Sequence, residues 1–397
     1  MSSKLKNRFG LSEWSGAVGD LGTTLPLAFG LIIFNGFPPE RIFFLWGIAY
    51  IIMGWIYRVP VSIQPLKAMA VIAIATGYSA ELLSTTALFY GALLFLLSIS
   101  GVIRWLQKWF SPALIRGIQL GIGLILAYKA VALTIEKGFY LGSESIFPYL
   151  NIIILVVVIL LLWFVQFRKG IPLILSLLLA GGIISIVFGI SLDLSQYLGS
   201  PAKLTIPDFS FFLNSLIYLM IPQLPLTLGN AVFAASDACH SFWKEQAQRV
   251  NPTRLGSSIG ISDIFIGILG GFPICHGAGG IAAHAQFGGK TGGTVIILGS
   301  IFVLAALVDP LSSFLFFIPI PILAAMLLFD AWRMMMLIQK LKIKFEWVIA
   351  IIVGIISFAT RNLTIALIVG FLIERLYAYY QKRTVTDLRS RREVKHD

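Results

Sequence analysis

Long apolar runs separated by short polar breaks set the pattern of this chain, and the runs carry few charges. Stretches such as Ile152–Val165 and Ile171–Ile190 match or approach the helix length that crosses a hydrocarbon core of about 30 Å. Taken in order, the runs predict about fourteen segments. The first half holds Trp14–Phe34, Arg41–Tyr57, Val61–Ala80, Thr86–Ile103, Pro112–Leu133, Tyr149–Gln166 and Ile171–Ile190. The second half holds Phe211–Ala235, Ser258–Gly270, Pro273–Phe287, Gly292–Val308, Phe314–Met336, Trp347–Thr360 and Leu363–Tyr380. No period-2 alternation runs through them, which excludes a transmembrane β-barrel. The fold class expected is an all-α polytopic membrane protein.

Segments three, nine and ten are short or interrupted. Gly270–Gly293, GGFPICHGAGGIAAHAQFGGKTGG, carries a proline, a cysteine, a histidine and many small residues where bulky aliphatics would be expected. Water-soluble phosphate-binding loops share this look, and so do broken helices inside a membrane. Segment three opens in the same manner with Val59-Pro-Val-Ser-Ile-Gln-Pro-Leu-Lys67-Ala. Segments one and eight make a second matching pair, GDLGTTLPLAFG at Gly19–Gly30 and PQLPLTLGNAVF at Pro222–Phe233. Both pairs are offset by seven segments. Seven is odd, so the second half inserts upside-down, and two inverted seven-segment repeats are expected over 1–200 and 201–380, followed by a basic cytoplasmic tail at 381–397.

Extended backbone cannot face lipid with its polar groups unpaired, so such breaks are buried in protein or line a wet cavity. A half-helix that starts at mid-membrane presents its first N–H groups and the positive end of its dipole. Half-helices in segments three and ten, entering from opposite sides, would aim both positive ends at one point. That point suits an anion. Small residues at Ala68, Gly277, Ala278 and Gly279 would let a ligand approach the backbone closely.

Composition agrees with the pattern: 58% of the 397 residues are hydrophobic and 12% charged, with mean hydropathy +0.90. The net charge of +12 would suggest nucleic acid for a soluble protein, but topology accounts for it here. With the N-terminus in the cytoplasm, only Arg41, Lys137, Lys203 and Arg361 fall outside, and Lys67 and Lys129 fall within segments. The rest of the 30 lysines and arginines fall inside. This asymmetry supports an even count and cytoplasmic termini, in the cell (inner) membrane, and makes the tail a retention and lipid-headgroup signal. The polar residues after Tyr380 are expected to be disordered. The N-terminus reads as a retained cytoplasmic end. Cys239 and Cys275 are too few for a metal or disulfide framework, and the Met334-Met-Met run has no facing thioether cluster. No metal, cofactor or nucleic acid is expected.

Lys67 is the sharpest candidate, because a lysine inside a membrane costs about 2.5–3.5 kcal/mol unless it is paired or hydrated. It could contact an anion or pair with an acid such as Asp20. Asp20 could carry a coupling proton, hold Lys67 or cap the break in its segment. His276 could donate to an oxyanion and titrate, or simply bond to backbone. Cys275 reads as a small residue packed beside the site. Gln64, Gln223, Thr23, Thr227 and Asn230 are neutral hydrogen-bonding groups, which suit an anion that must bind and then leave. Asp237, His240 and His284 read as solvated residues near cytoplasmic ends, and Asp309 and Asp330 as end-of-helix residues.

EWSGAVGDLGTTLP (Glu13–Pro26), SIQPLKAMA (Ser62–Ala70), PQLPLTLGNA (Pro222–Ala231) and FPICHGAGGIAAHAQFGGKTGG (Phe272–Gly293) together resemble the MOT1-type molybdate transporters, a branch related to the SulP sulfate carriers. The resemblance covers essentially the whole membrane chain. It implies the seven-plus-seven inverted-repeat fold shared with nucleobase carriers, transport of a tetrahedral oxyanion, and a membrane chain without the C-terminal STAS domain of SulP proteins. It places Thr24 and Thr227 in the site region by motif position, and a homodimer rests on it alone. No GxxxxGK[ST] motif supplies a nucleotide engine. The function expected is therefore secondary import of molybdate by alternating access, coupled to protons through Asp20 or His276, with sulfate as the alternative oxyanion. A nucleobase carrier would need a carboxylate in segments eight and ten to read ring N–H groups. A membrane-embedded enzyme would need a partner for Cys275 and His276 that the motif lacks.

Overall fold

The computed structural model describes residues 6–136, 138–140, 148–165, 181, 199–308 and 319–393, with backbone alone for Thr23, Pro148, Val165 and 380–393. Nearly all of the seventh expected segment, Ile171–Ile190, lies outside the described residues, as do Lys137 and Asp309.

The breaks in apolar pattern become breaks in helix. Segment one is two helices, α1 (Leu11–Val18) and α2 (Leu21–Asn35), parted at Gly19 and Asp20. α3 (Pro39–Tyr57) follows. The start of segment three is extended: β1 (Gln64–Pro65) leads into the short α4 (Lys67–Thr76). Pro65 lacks an N–H and biases Gln64 away from helical dihedrals, so the helix begins only after it. Then come α5 (Ala80–Ile99), α6 (Pro112–Glu136) and α7 (Pro148–Val165).

α8 runs helically from Phe209 to Arg249. It widens into π-helical turns at Ser215–Met220 and Thr227–Phe233. Pro222 and Pro225 sit between them, and each removes one N–H and crowds the preceding turn. A wider turn relieves that conflict. α9 (Pro252–Ile268) is longer than the predicted Ser258–Gly270, because Asn251 caps its start by accepting from the Arg254 N–H. β2 (Ile274–Cys275) then enters the short α10 (Ala278–Gln286). α11 (Gly293–Leu307), α12 (Ile320–Met335), α13 (Lys344–Thr360) and α14 (Leu363–Glu393) complete the path. The backbone of α14 stays helical to Glu393, where disorder after Tyr380 was expected.

Among the described residues, five helical stretches are long and apolar enough to cross a membrane: Pro39–Tyr57, Ala80–Ile99, Pro112–Glu136, Phe209–Arg249 and Ile320–Lys340. Ile153, Val157, Leu160 and Phe164 on α7 are exposed. In a bilayer they face lipid.

The helices pack as two groups. α3 lies along α11 and α5 along α9, while α6 packs against α12 and α13, and α7 against α12. Glycine sets the first two contacts. A Cβ on Gly47 would stand 2.7 Å from the Gly299 carbonyl oxygen, and one on Gly91 would stand 2.7 Å from that of Gly260. Side chains there would force the helices apart and forfeit the close packing that holds them without a hydrophobic drive in lipid.

Candidate functional site

The two interrupted segments meet. β1 and β2 pair antiparallel, with Gln64 opposite Cys275 and Pro65 opposite Ile274. Three side chains from outside the pair fix it. The Asp263 carboxylate on α9 accepts from the Ile274 N–H at 2.7 Å. The Ser62 hydroxyl donates to the Gly277 carbonyl at 2.8 Å, and the Trp46 indole donates to the Phe272 carbonyl at 3.0 Å. Each satisfies a main-chain group that a two-residue strand leaves unpaired. α4 and α10 therefore start side by side from one small platform. At ten and nine residues, each reaches roughly half the thickness of a bilayer.

A small cleft, open at its mouth, lies beside this platform. Lys67, Gln223, Leu226, Thr227, Asn230, Ala231 and Cys275 line it from α4, α8 and β2, and Gln119 and Met334 line it from α6 and α12. It therefore sits on the seam between the two helix groups. Lys67 is half-buried and has no hydrogen bond or ion pair among the described residues. Its charge still reaches the carboxylate of Asp330 and the thiol of Cys275. The Cys275 thiol points at the Pro65 carbonyl, 3.8 Å away.

Gln223 holds the start of α4. Its carbonyl accepts from the Ala68 and Met69 N–H groups at 2.9 and 3.2 Å, and its amide donates to the Thr227 hydroxyl at 3.1 Å. Tyr90 donates to the same hydroxyl at 2.5 Å. The first N–H groups of α4 are thus occupied in this structure, so the expectation of two bare helix starts is half met. α10 keeps its own: the Ala278 and Gly279 N–H groups have no acceptor among the described residues. Gly279 is exposed, and an added Cβ there would meet nothing within 4 Å.

Behind the platform lies a buried polar centre around Asp20. The Gln64 amide donates to Asp20 Oδ1 at 2.5 Å, and the Tyr50 hydroxyl donates to Oδ2 at 2.9 Å. Gly280 backs directly onto the carboxylate. Asp20 thus holds β1 and α10 rather than pairing with Lys67. Thr24 is fully buried near Tyr50, away from the cleft lining. The Thr23 side chain lies outside the described residues.

Two expectations about histidine change. His276 does not line the cleft: its Nδ1 donates to the Ser62 carbonyl at 3.0 Å and its Nε2 accepts from the Ser258 hydroxyl at 2.9 Å. Both ring nitrogens are spent on structure. His284 was expected to be solvated, yet its side chain is 0% exposed and stands 3.8 Å from Asp20. The reason is that α10 is short and packs inward against α1 and α8, which turns its last turn into the protein. Asp237 and His240 are exposed, as expected. Asp330, read as an end-of-helix residue, is instead buried within α12.

Sequence reading missed Gln119, Asp263 and the role of Glu13. Gln119 and Asp263 carried a usable signal, a polar residue in the middle of an apolar run. Glu13 explains the segment that resembled a phosphate loop. Its carboxylate accepts from the Lys290 and Thr291 N–H groups at 3.1 and 3.2 Å and from the Thr294 hydroxyl. The loop binds an anion, but the anion is the chain's own.

A family model described as "Molybdate transporter of MFS superfamily" matches residues 12–126 and 215–334. Molybdate transporter 1 of Arabidopsis thaliana is 26% identical, over 94% of this chain and 89% of its own. Among solved structures, the transmembrane domain of the cyanobacterial bicarbonate transporter BicA superposes with a TM-score of 0.67 at 18% identity, covering 92% of this chain and 100% of that one. The murine anion transporter Slc26a9, in its inward-facing state, gives 0.66 at 16% identity, covering 95% and 69%. The fold is therefore of the kind found in SulP and SLC26 transporters.

Proposed function

The chain belongs to the family of molybdate transporters that this match defines, and from that premise we propose that it imports molybdate by alternating access through the cleft beside Lys67. The observation that carries the reading is the Lys67 ammonium, which lines a largely apolar cleft and has no partner among the described residues. A cation left uncompensated in a membrane is unfavourable, and a tetrahedral dianion is the counter-charge that fits it. Gln223, Thr227, Asn230 and Gln119 supply neutral hydrogen-bonding groups around it, and the Ala278 and Gly279 N–H groups add the positive end of the α10 dipole. Cys275 lines the wall. His276, Thr24 and Gln64 act as supports.

The two groups of helices supply the moving parts: α1–α5 with α8–α11 as a core carrying the site, and α6, α7 and α12–α14 as a gate. Their pairings support two inverted repeats of seven segments. Exchanging segments two with nine and four with eleven turns the α3–α11 contact into the α9–α5 contact, and Gly47–Gly299 into Gly260–Gly91. The distribution of basic residues supports a cytoplasmic position for both termini and for the tail at 381–397. Gln119 and Met334 then lie toward the cytoplasmic ends of their helices, so the cleft faces inward. Importing a dianion against a negative interior costs about 4–5 kcal/mol per 100 mV, which calls for co-transported cations, and protons fit the buried acid at Asp20.

Binding by the purified protein tests this reading, with molybdate, tungstate, sulfate and uracil compared side by side. Molybdate is expected to bind, uracil is not, and Lys67→Ala is expected to weaken molybdate by about 10- to 100-fold, the worth of one charge-assisted contact. Equal affinity for uracil would sink the anion reading, and full affinity in Lys67→Ala would remove that lysine from the site. Sulfate binding ahead of molybdate would move the substrate to the lighter oxyanion.

A further inference from the structure

We infer that His284 and Asp20 together form the proton-binding site that couples transport, a role that rests on the proposed import of a dianion. The histidine is oriented for it. Its Nδ1 lies 2.8 Å from the Gly16 carbonyl, which can only accept, so Nδ1 carries a hydrogen and, in the neutral ring, Nε2 is the lone pair. That Nε2 is buried and has no hydrogen-bond partner among the described residues. It faces Asp20 Oδ2 at 3.8 Å. A buried ring nitrogen without a partner is unfavourable. A proton on Nε2 turns it into a donor aimed at the carboxylate, and a small closure of the gap completes the contact.

Several described groups face the pair or flank it. Tyr50 on α3 donates to Asp20, and its ring meets that of His284 in a T-shaped contact. Glu13 on α1 is turned away, onto the Lys290 and Thr291 main chain. From α8, Cys239 is a buried thiol, while Asp237 and His240 are exposed. Lys67 and Asp330 reach the same region through their charges. With His284 neutral and Asp20 ionised, Asp20 offsets Lys67 and opposes a dianion. With the proton bound, His284 and Asp20 cancel, and the full charge of Lys67 is available to the substrate. Proton and anion therefore bind with positive coupling, and the coupling is reciprocal. The mechanical link is short. Asp20 holds β1 through Gln64 and presses on α10 at Gly280, so a change at the pair is felt at both short helices. Both side chains are 0% exposed in this structure, so exchange of the proton with either side requires the core to move. A coupled carrier needs that property.

Reconstituted vesicles separate this inference from the substrate reading. Wild-type protein should exchange labelled molybdate across a membrane without a gradient, and should accumulate it when the lumen is made alkaline. His284→Asn keeps a donor at the Nδ1 position for Gly16 but cannot bind the proton. Exchange should persist at a measurable rate, while gradient-driven accumulation should fall about tenfold or more. Accumulation at the wild-type level in that variant would overturn the proton site. Absence of exchange in wild-type protein would instead overturn the molybdate reading. If the variant does not fold, proton uptake on adding molybdate to weakly buffered wild-type protein decides the matter. Proton uptake on binding is expected, and no uptake at any pH would refute the inference.

Discussion

At the scale of single residues, two neighbouring glycines do opposite things. A Cβ on Gly280 would lie 2.6 Å from both oxygens of Asp20, while one on Gly279 would meet nothing within 4 Å. The Asp20 carboxylate is not a flexible end that can swing aside, because Gln64 and Tyr50 hold both its oxygens. Gly280→Ala is therefore expected to cost about 1–3 kcal/mol, as overpacking of a filled interior does, and to abolish transport by moving the carboxylate. Gly279→Ala should leave the melting temperature near that of the parent. It should weaken molybdate binding, because a methyl group then stands where an oxyanion would approach the backbone. Thermal unfolding in detergent beside a binding isotherm distinguishes the two. Equal behaviour of both variants would mean that Gly280 does not support Asp20 as the geometry indicates.

At the scale of elements, the short helices stand or fall with the segments that clamp them. Glu13 on α1 is the side chain that joins the N-terminal stretch to the 290–294 turn, through two N–H groups and a hydroxyl, beside the main-chain contacts of Arg8 with Thr291. Glu13→Ala leaves those donors buried without an acceptor and should destabilise the fold by about 2–4 kcal/mol, whereas Glu13→Gln keeps one carbonyl acceptor and should lose less. Melting curves that put Ala and Gln together would argue against a capping role. These clamps also mark what could be read in advance. Proline, glycine and polar residues inside apolar runs announced β1, β2, α4 and α10, because each such residue denies a spanning helix a hydrogen bond or a packing surface. The run of small residues at Gly277–Gly279 was legible for the same reason. The fate of His284 was not, because its place was inferred from distance along the chain to a charged end, and nothing local says that α10 turns inward. Gln119 was hidden differently. It sits on an ordinary long helix, and its value comes from which helix faces it.

At the scale of the whole molecule, the cleft is shared by two groups of helices, and that division makes a prediction that no single residue makes. Asn230 lies on the proposed core and Gln119 on the proposed gate, yet both line the same space. If transport is a shift of one group against the other, a tether between them must stop it without disturbing the site. The chain is suited to the test, since Cys239 and Cys275 are both buried and can be replaced by serine or alanine. In that background, Asn230→Cys should react with a hydrophilic thiol reagent from the cytoplasmic side, and molybdate should slow the reaction. Asn230→Cys combined with Gln119→Cys should lose, once bridged by a short flexible bismaleimide, whatever uptake the same double variant shows before bridging, while reduced, untreated protein stays at its own level. Molybdate binding to the bridged protein should survive, because the tether spans the mouth and leaves Lys67 in place. Undiminished uptake after bridging would mean that the two groups do not move apart during transport, and the division into core and gate would have to be redrawn along other helices.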